Sequence, residues 1–197
     1  MIITPVPHGL EDLLAKSGPR SHDRLHMSDI YGALYKELEP ERYGSDTAPD
    51  PLRLEAGLAL ESVVERALVD RLSGGGRPGE LTTEHGIVYS PDLVIFNSHT
   101  RVGEIKLTWM SSREVPREAA NAFPPKFNKY FTQMKLYCRA LETPYARLIA
   151  FFVNGDYDRK RPPGPELLAW NIEFTRRELE DEWQLCMGFA RQKGMIQ

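Results

Sequence analysis

The amino-acid sequence predicts an α/β fold, because segments with helical periodicity alternate with short runs that have the composition of β-strands. Their order along the chain is helix, three strands, helix, two strands, helix. A chain of 197 residues, of which 41% are hydrophobic, can bury one sizeable core. We therefore expect one globular domain, with residues 1–50 as an N-terminal helical lead-in and residues 51–197 as the main domain.

Two helices are predicted in the first 72 residues of the chain. In the lead-in, the segment SDIYGALYKEL is expected to be helical with Ser28 as its N-cap, and Pro40 ends it. The first long helix covers about residues 51–72, where apolar residues recur at helical spacing. The glycine-rich sequence GGGRPG at 74–79 then predicts a flexible loop.

The elements after this loop are three strands, a helix, two strands and a final helix. Short turns join the first three strands, which indicates an antiparallel meander of HGIVYS, DLVIF and RVGEIKLTW. A helix at about 125–141 precedes the strands RLIAFFV and LLAWNIEF. The last helix opens at Thr175, which has the spacing of a capping box with Glu178. Its expected core positions are Leu179, Trp183, Cys186, Met187 and Ala190.

Composition restricts the kinds of site that the chain can form. A net charge of -3 and a pI of about 6.0 give no overall basic field, so any nucleic-acid contact must be local. Two cysteines and five histidines without ligand spacing predict neither an iron-sulfur cluster nor zinc. There is no apolar run of the ~20 residues that span a bilayer, and no leader peptide is recognisable. We therefore expect a soluble cytosolic protein with no membrane partner.

Glu61 stands out in the first long helix because it falls within the apolar stripe rather than on the polar face. The apolar residues around it on that stripe are Leu54, Leu58, Val64 and Leu68. A carboxylate in such a position needs a compensating cation, which can be an arginine or a metal ion. A salt bridge to Arg53 or Arg71 therefore stays open beside metal binding, and Glu65 is the reserve ligand.

The third strand of the predicted meander carries an acid and a lysine on one face. Side chains alternate along a strand, so Glu104 and Lys106 point the same way while Ile105 points to the other face. Alone, such a pair is most often a solvated ion pair. A short connection, however, brings Asp92, at the start of the preceding strand, close to Glu104. Converging carboxylates favour a divalent cation between them, and Mg²⁺ prefers oxygen ligands of this kind.

These residues resemble the motif of the PD-(D/E)xK nucleases, here as Pro91-Asp92 followed by Glu104-Ile105-Lys106. The order of elements over about residues 50–175 also resembles the family core. That resemblance implies a PD-(D/E)xK nuclease core, in which a central mixed β-sheet is flanked by helices in the order α-β-β-β-α-β. It makes residues 51–197 the nuclease domain.

A second pattern, QxxxY at Gln133 and Tyr137, resembles the RecB-like branch that includes lambda-type exonucleases. On a helical wheel the two residues share one flank with Lys126, beside the apolar stripe. Many RecB-like nucleases carry GxxxH in the first helix, whereas this chain has Gly57 followed at that spacing by Glu61. The difference bears on the branch and on metal preference.

The resemblance implies one or two Mg²⁺ or Mn²⁺ ions on Glu61, Asp92, Glu104 and the main-chain carbonyl of Ile105. Asp92, Glu104 and Lys106 would then be catalytic, with Lys106 positioning or deprotonating water or stabilising the transition state. Four residues are expected to contact the substrate or orient Lys106, namely Lys126, Lys129, Gln133 and Tyr137.

The function expected from the resemblance is a metal-dependent deoxyribonuclease, an exonuclease of recombination, repair or phage DNA processing in the cytosol of a bacterium or of a phage-infected host. DNA is the expected partner, and RNA, an endonuclease activity, homo-oligomers and a recombination partner protein stay open. Two alternatives are an inactive nucleic-acid-binding or assembly protein on a nuclease fold, and a metal-free interaction domain whose carboxylates sit in salt bridges.

Overall fold

The structure, a computed structural model, describes residues 23–44, 50–69, 75–76, 79–83, 85–96, 98–115, 123–153 and 164–197. Five α-helices, two short 3₁₀ helices (Ser112–Glu114 and Pro125–Phe127) and seven strands lie within these ranges. The helices are α1 (Met27–Leu38), α2 (Pro40–Tyr43), α3 (Pro51–Val69), α4 (Asn128–Ala140) and α5 (Arg176–Gln192). The strands are β1 (Gly75–Gly76), β2 (Leu81–Thr82), β3 (Val88–Tyr89), β4 (Leu93–Phe96), β5 (Thr100–Thr108), β6 (Tyr145–Phe152) and β7 (Glu166–Glu173).

A five-stranded mixed sheet in the order β1-β4-β5-β6-β7 forms the centre of the molecule. Only β5 and β6 run parallel, because α4 connects them, and the other neighbours are antiparallel. Helices α1, α4 and α5 cover one face of this sheet, and α3 contacts the other. The predicted α/β fold with a central mixed sheet flanked by helices is confirmed.

The predicted three-strand meander is wrong in its first strand. Within HGIVYS, β3 pairs with β2 in a separate two-stranded sheet, and the main-chain N–H of Val88 donates to the carbonyl oxygen of Leu25 at 2.9 Å. Both edges of β3 are thus used, and Pro91, which has no N–H to donate, separates it from β4. On the side of β4 away from β5, the paired strand is instead Gly75–Gly76, which lies inside the predicted loop.

Two helix starts were predicted from capping residues, and one of them is correct. At α5 the main-chain N–H of Glu178 donates to the Thr175 hydroxyl at 3.2 Å, and the Thr175 N–H donates to the Glu178 carboxylate at 2.8 Å, which confirms the capping box. Helix α1 is capped by His26 and not by Ser28, because the Asp29 carboxylate accepts a hydrogen bond from the His26 N–H at 3.0 Å.

The core lies mainly between the sheet and α1, α4 and α5. All five predicted core residues of α5 are buried in it. Met27 and Ile30 of α1 are 0% exposed, so this helix of the predicted lead-in packs in the same core as α4 and α5. Within the described ranges, no helix combines the length and the apolar character needed to cross a membrane.

The opposite face of the sheet is covered where Leu60 of α3 packs against Ile105 and Ile149. The predicted apolar stripe of this helix is wrong at Leu54, which is 44% exposed. Apolar residues occur on every side of α3, since Val63 is also exposed, and their spacing therefore did not single out the buried face.

Candidate active site

Glu104 forms the centre of the candidate site, on the face of β5 that is covered by α4. Its side chain is completely buried, and one carboxylate oxygen, Oε2, accepts a hydrogen bond from Gln133 Nε2 at 2.9 Å. The ammonium of Lys106 contacts the other oxygen, Oε1. Strand alternation places both residues on one face, as predicted, and one turn of α4 supplies the amide.

Asp92 lies directly across from Glu104. The pairing of Leu93 with Gly103 brings the residue before Leu93 to this position. Asp92 Oδ2 accepts a hydrogen bond from the main-chain N–H of Ile105 at 2.7 Å and lies 4.0 Å from Lys106 Nζ. The predicted proximity of Asp92, Glu104 and Lys106 is therefore present in the structure.

The electrostatics of the centre are governed by burial and crowded negative charge. Burial, followed by Asp92, raises the pKa of Glu104 to about 8, against the attraction of Lys106, and Glu61 raises it further. Burial also acts to lower the pKa of Lys106, but Glu104 and Asp92 outweigh it and raise that pKa well above its usual value. Near neutral pH, the raised pKa values of Glu104 and Lys106 favour the protonated form of each side chain.

Glu61 reaches this centre from α3. Its Oε1 is buried, and its charge is close enough to raise the pKa of Glu104. The alternative partners Arg53 and Arg71 and the reserve ligand Glu65 have side chains outside the described part of the structure.

The donor set fits a hard divalent cation in its chemistry. Asp92 and Glu61 both lie within electrostatic reach of Glu104, whose pKa is raised first by burial and then by these two charges. Carboxylate oxygens are the ligands that such a cation prefers. Among the described residues, no three His, Cys, Asp or Glu side chains are arranged to enclose an ion. The ammonium of Lys106 instead lies beside both Asp92 and Glu104.

The four residues predicted to share one flank lie in two different environments, and one of them, Lys126, lies in a short 3₁₀ helix just before α4. Gln133 and Tyr137 are buried, and Gln133 hydrogen-bonds both Glu104 and Tyr137. These two residues therefore hold the Glu104 carboxylate in place from the side of α4. Lys126 and Lys129 are partly exposed, and Lys126 Nζ donates to the Thr108 hydroxyl at 3.0 Å. Of these four side chains, the two lysines are therefore the more exposed.

The similarity of this chain to known proteins is structural. No family model matches the sequence, and no curated protein matches it. A solved phage-related exonuclease from Haemophilus somnus 129PT superimposes with a TM-score of 0.56 at 14% identity, over 93% of this chain and 96% of that one. The two chains share a fold. An alkaline exonuclease from Laribacter hongkongensis is similar at a TM-score of 0.48 and 14% identity, over 86% and 87% of the two chains.

Two tyrosines beside the site were not predicted from the sequence. The Lys106 ammonium lies 5.4 Å from the centre of the Tyr130 ring. Tyr130 stands four residues after Lys126 and three before Gln133, so helical spacing alone would have placed it on the same flank. Tyr31 of α1 is buried within reach of the charges of Glu104 and Lys106. No local pattern links so distant a residue to the motif.

Proposed function

We propose that this protein is a Mg²⁺- or Mn²⁺-dependent deoxyribonuclease that hydrolyses phosphodiester bonds. The observation that carries the proposal is the buried Glu104, held between Gln133 and Lys106 and facing Asp92. Burying a carboxylate among other acids is unfavourable, and a fold gains nothing from it unless a cation or a reaction uses the charge. The fold shared with a phage-related exonuclease supports the same conclusion.

Asp92, Glu104 and Glu61 would hold the cation, together with the carbonyl oxygen of Ile105. When bound, such an ion lowers the pKa of a water molecule and neutralises charge on a phosphate oxygen. Gln133 fixes the orientation of the Glu104 carboxylate by its hydrogen bond, so the acid presents its other oxygen toward Lys106 and Asp92.

Lys106 supplies a positive charge at the same point. Because Glu104 and Asp92 raise its pKa, Lys106 is protonated in the metal-free protein. A protonated ammonium is suited to stabilise negative charge that develops on the phosphate oxygens and to donate a proton to the leaving oxygen. The ring of Tyr130 at 5.4 Å restricts where that ammonium can move.

We further propose that the enzyme works from DNA ends in recombination, repair or phage DNA processing. This part rests on the resemblance of Gln133 and Tyr137 to the QxxxY motif of the exonuclease branch. Lys126 and Lys129, at the exposed rim of the site, supply contacts to backbone phosphates.

A second candidate function, a binding domain without metal, is favoured by one observation. Lys106 is near both Glu104 and Asp92, so a lysine already provides part of the charge that a metal would provide. Titration with Mn²⁺ in the millimolar range separates the two candidates, because only the nuclease proposal expects saturable heat.

Cleavage of end-labelled linear DNA and of covalently closed circular DNA in parallel tests the proposed reaction. With Mg²⁺ or Mn²⁺, we expect loss of the linear substrate from its ends and intact circles, and no reaction in chelator. Nicking of circles at a comparable rate would contradict the exonuclease assignment while leaving a nuclease. An RNA strand of the same sequence defines the sugar preference.

A further inference from the structure

Lys129 has surroundings unlike those of Lys135, the other lysine on its helix. It lies on α4 one turn before Gln133, at the rim of the site. Its ammonium is 4.9 Å from the centre of the Tyr43 ring and 5.8 Å from the centre of the Tyr31 ring. Lys135 on the same helix is ion-paired to Glu182 at 2.9 Å, whereas Lys129 makes no ion pair within the described part of the chain.

The two rings hold the ammonium of Lys129 without neutralising it. An aromatic face attracts a cation through its quadrupole, so the rings bind the ammonium without supplying the opposite charge that a carboxylate partner would. Lys106 and Lys36 are close enough for their charges to act on Lys129 as well. Burial and then these like charges lower the pKa of Lys129, so an anionic ligand beside it would stabilise the ammonium.

We propose that Lys129, held by Tyr31 and Tyr43, binds a backbone phosphate of the DNA strand that is cut at Glu104. The inference rests on the proposed nuclease function and extends it to a substrate contact and its supporting residues. Lys129 lies one helical turn, about 5.4 Å along α4, from Gln133, which hydrogen-bonds Glu104. The contacted phosphate is therefore expected close to the cleaved bond.

The inference gives the N-terminal helices a function in substrate binding. Tyr31 belongs to α1 and Tyr43 to α2, so both rings come from the segment that precedes the catalytic motif. Tyr43 also packs edge-to-face on Tyr35, with ring centres 5.5 Å apart, and this contact fixes its ring. The rim of the site is thus built jointly by these two helices and α4.

Binding of a fluorescein-labelled 20-nucleotide duplex, measured by anisotropy with Ca²⁺ in place of Mg²⁺, tests the contact. Lys129→Ala should weaken binding about tenfold and reduce the slope of log affinity against log salt by about one, because one phosphate contact is lost. Lys129→Arg should retain most of the affinity, and Lys135→Ala, the matched control on the same helix, should bind like wild type. Thermal melts confirm that each variant folds.

Methylphosphonate substitution locates the phosphate, since this group carries no charge. At one position next to the cleaved bond, the substitution should lower the affinity of wild type for the duplex, but it should not lower the affinity of Lys129→Ala any further. Duplexes with a 5′-phosphate and with a 5′-hydroxyl should show the same effect of Lys129→Ala, because the contact is to an internal diester. An effect confined to the 5′-phosphate duplex would overturn that assignment in favour of a terminal phosphate.

The rings are tested by Tyr43→Leu, which should lower DNA affinity several-fold, and by Tyr43→Phe, which keeps the ring and should not. If Lys129→Ala binds DNA with wild-type affinity and salt dependence while wild type cleaves DNA, this inference is overturned and the nuclease proposal stands. If wild type neither binds nor cleaves DNA, the proposed function itself fails.

Discussion

Glu104 predicts a specific pH dependence for metal binding. Burial and Asp92 raise its pKa to about 8, so in the metal-free protein most of these carboxyl groups are protonated at pH 7. A carboxyl group must lose its proton before it can bind a cation. The affinity for Mn²⁺ should therefore increase about tenfold per pH unit between about pH 6 and pH 7.5, and level off above about pH 8.

Isothermal titration at several pH values measures this affinity directly. Repeating the titration at about pH 7 in two buffers that differ in ionisation enthalpy gives the number of protons released, which we expect to be close to one from Glu104. Glu104→Gln is the matched control, because it keeps the shape of the side chain, cannot titrate, and should show weak binding with little pH dependence. Wild-type affinity that stays constant from about pH 6 to pH 7.5, without proton release, would refute the reasoning.

Three further predictions concern the same centre. In chelator, protonated Glu104 contributes its full stability below the unfolded pKa of about 4.5, and this stability is lost as pH rises through about 8. The melting temperature of Glu104→Gln should therefore rise relative to that of wild type between those two pH values. Lys106→Ala should reduce the cleavage rate at least ~10²-fold while Mn²⁺ still binds, and a tenth of wild-type activity would contradict its role. Glu61→Gln should raise the melting temperature in chelator and shrink the Mn²⁺-induced shift, whereas a buried salt bridge predicts lower stability with the shift intact.

The acids, the lysine and the amide of the site could be predicted because each follows from a local rule. Strand alternation put Glu104 and Lys106 on one face, and a short connection between strands put Asp92 opposite. Helical spacing put Gln133 and Tyr137 on one flank. The sequence did not show that this flank is partly buried, because burial depends on what packs against the helix.

Other features depend on contacts between distant segments, and no local pattern contains them. The strand at Gly75–Gly76 has a loop sequence, and only its pairing with β4 makes it a strand. The strand at Val88–Tyr89 looks like part of the meander until its pairing with β2 and its contact with Leu25 are known. Tyr31 reaches the site only through the packing of α1 on α4.

Single-turnover cleavage of end-labelled linear DNA by wild type and by Asp92→Asn, purified side by side, tests the central claim most directly. The two proteins differ by one oxygen-to-nitrogen exchange in the carboxylate that accepts the Ile105 N–H, so folding can be matched by thermal melts in chelator. We predict Mn²⁺-dependent cleavage by wild type and a loss of at least ~10²-fold in the variant. Equal cleavage by both proteins, or none by wild type at millimolar Mn²⁺, would contradict a nuclease centre at Asp92, Glu104 and Lys106.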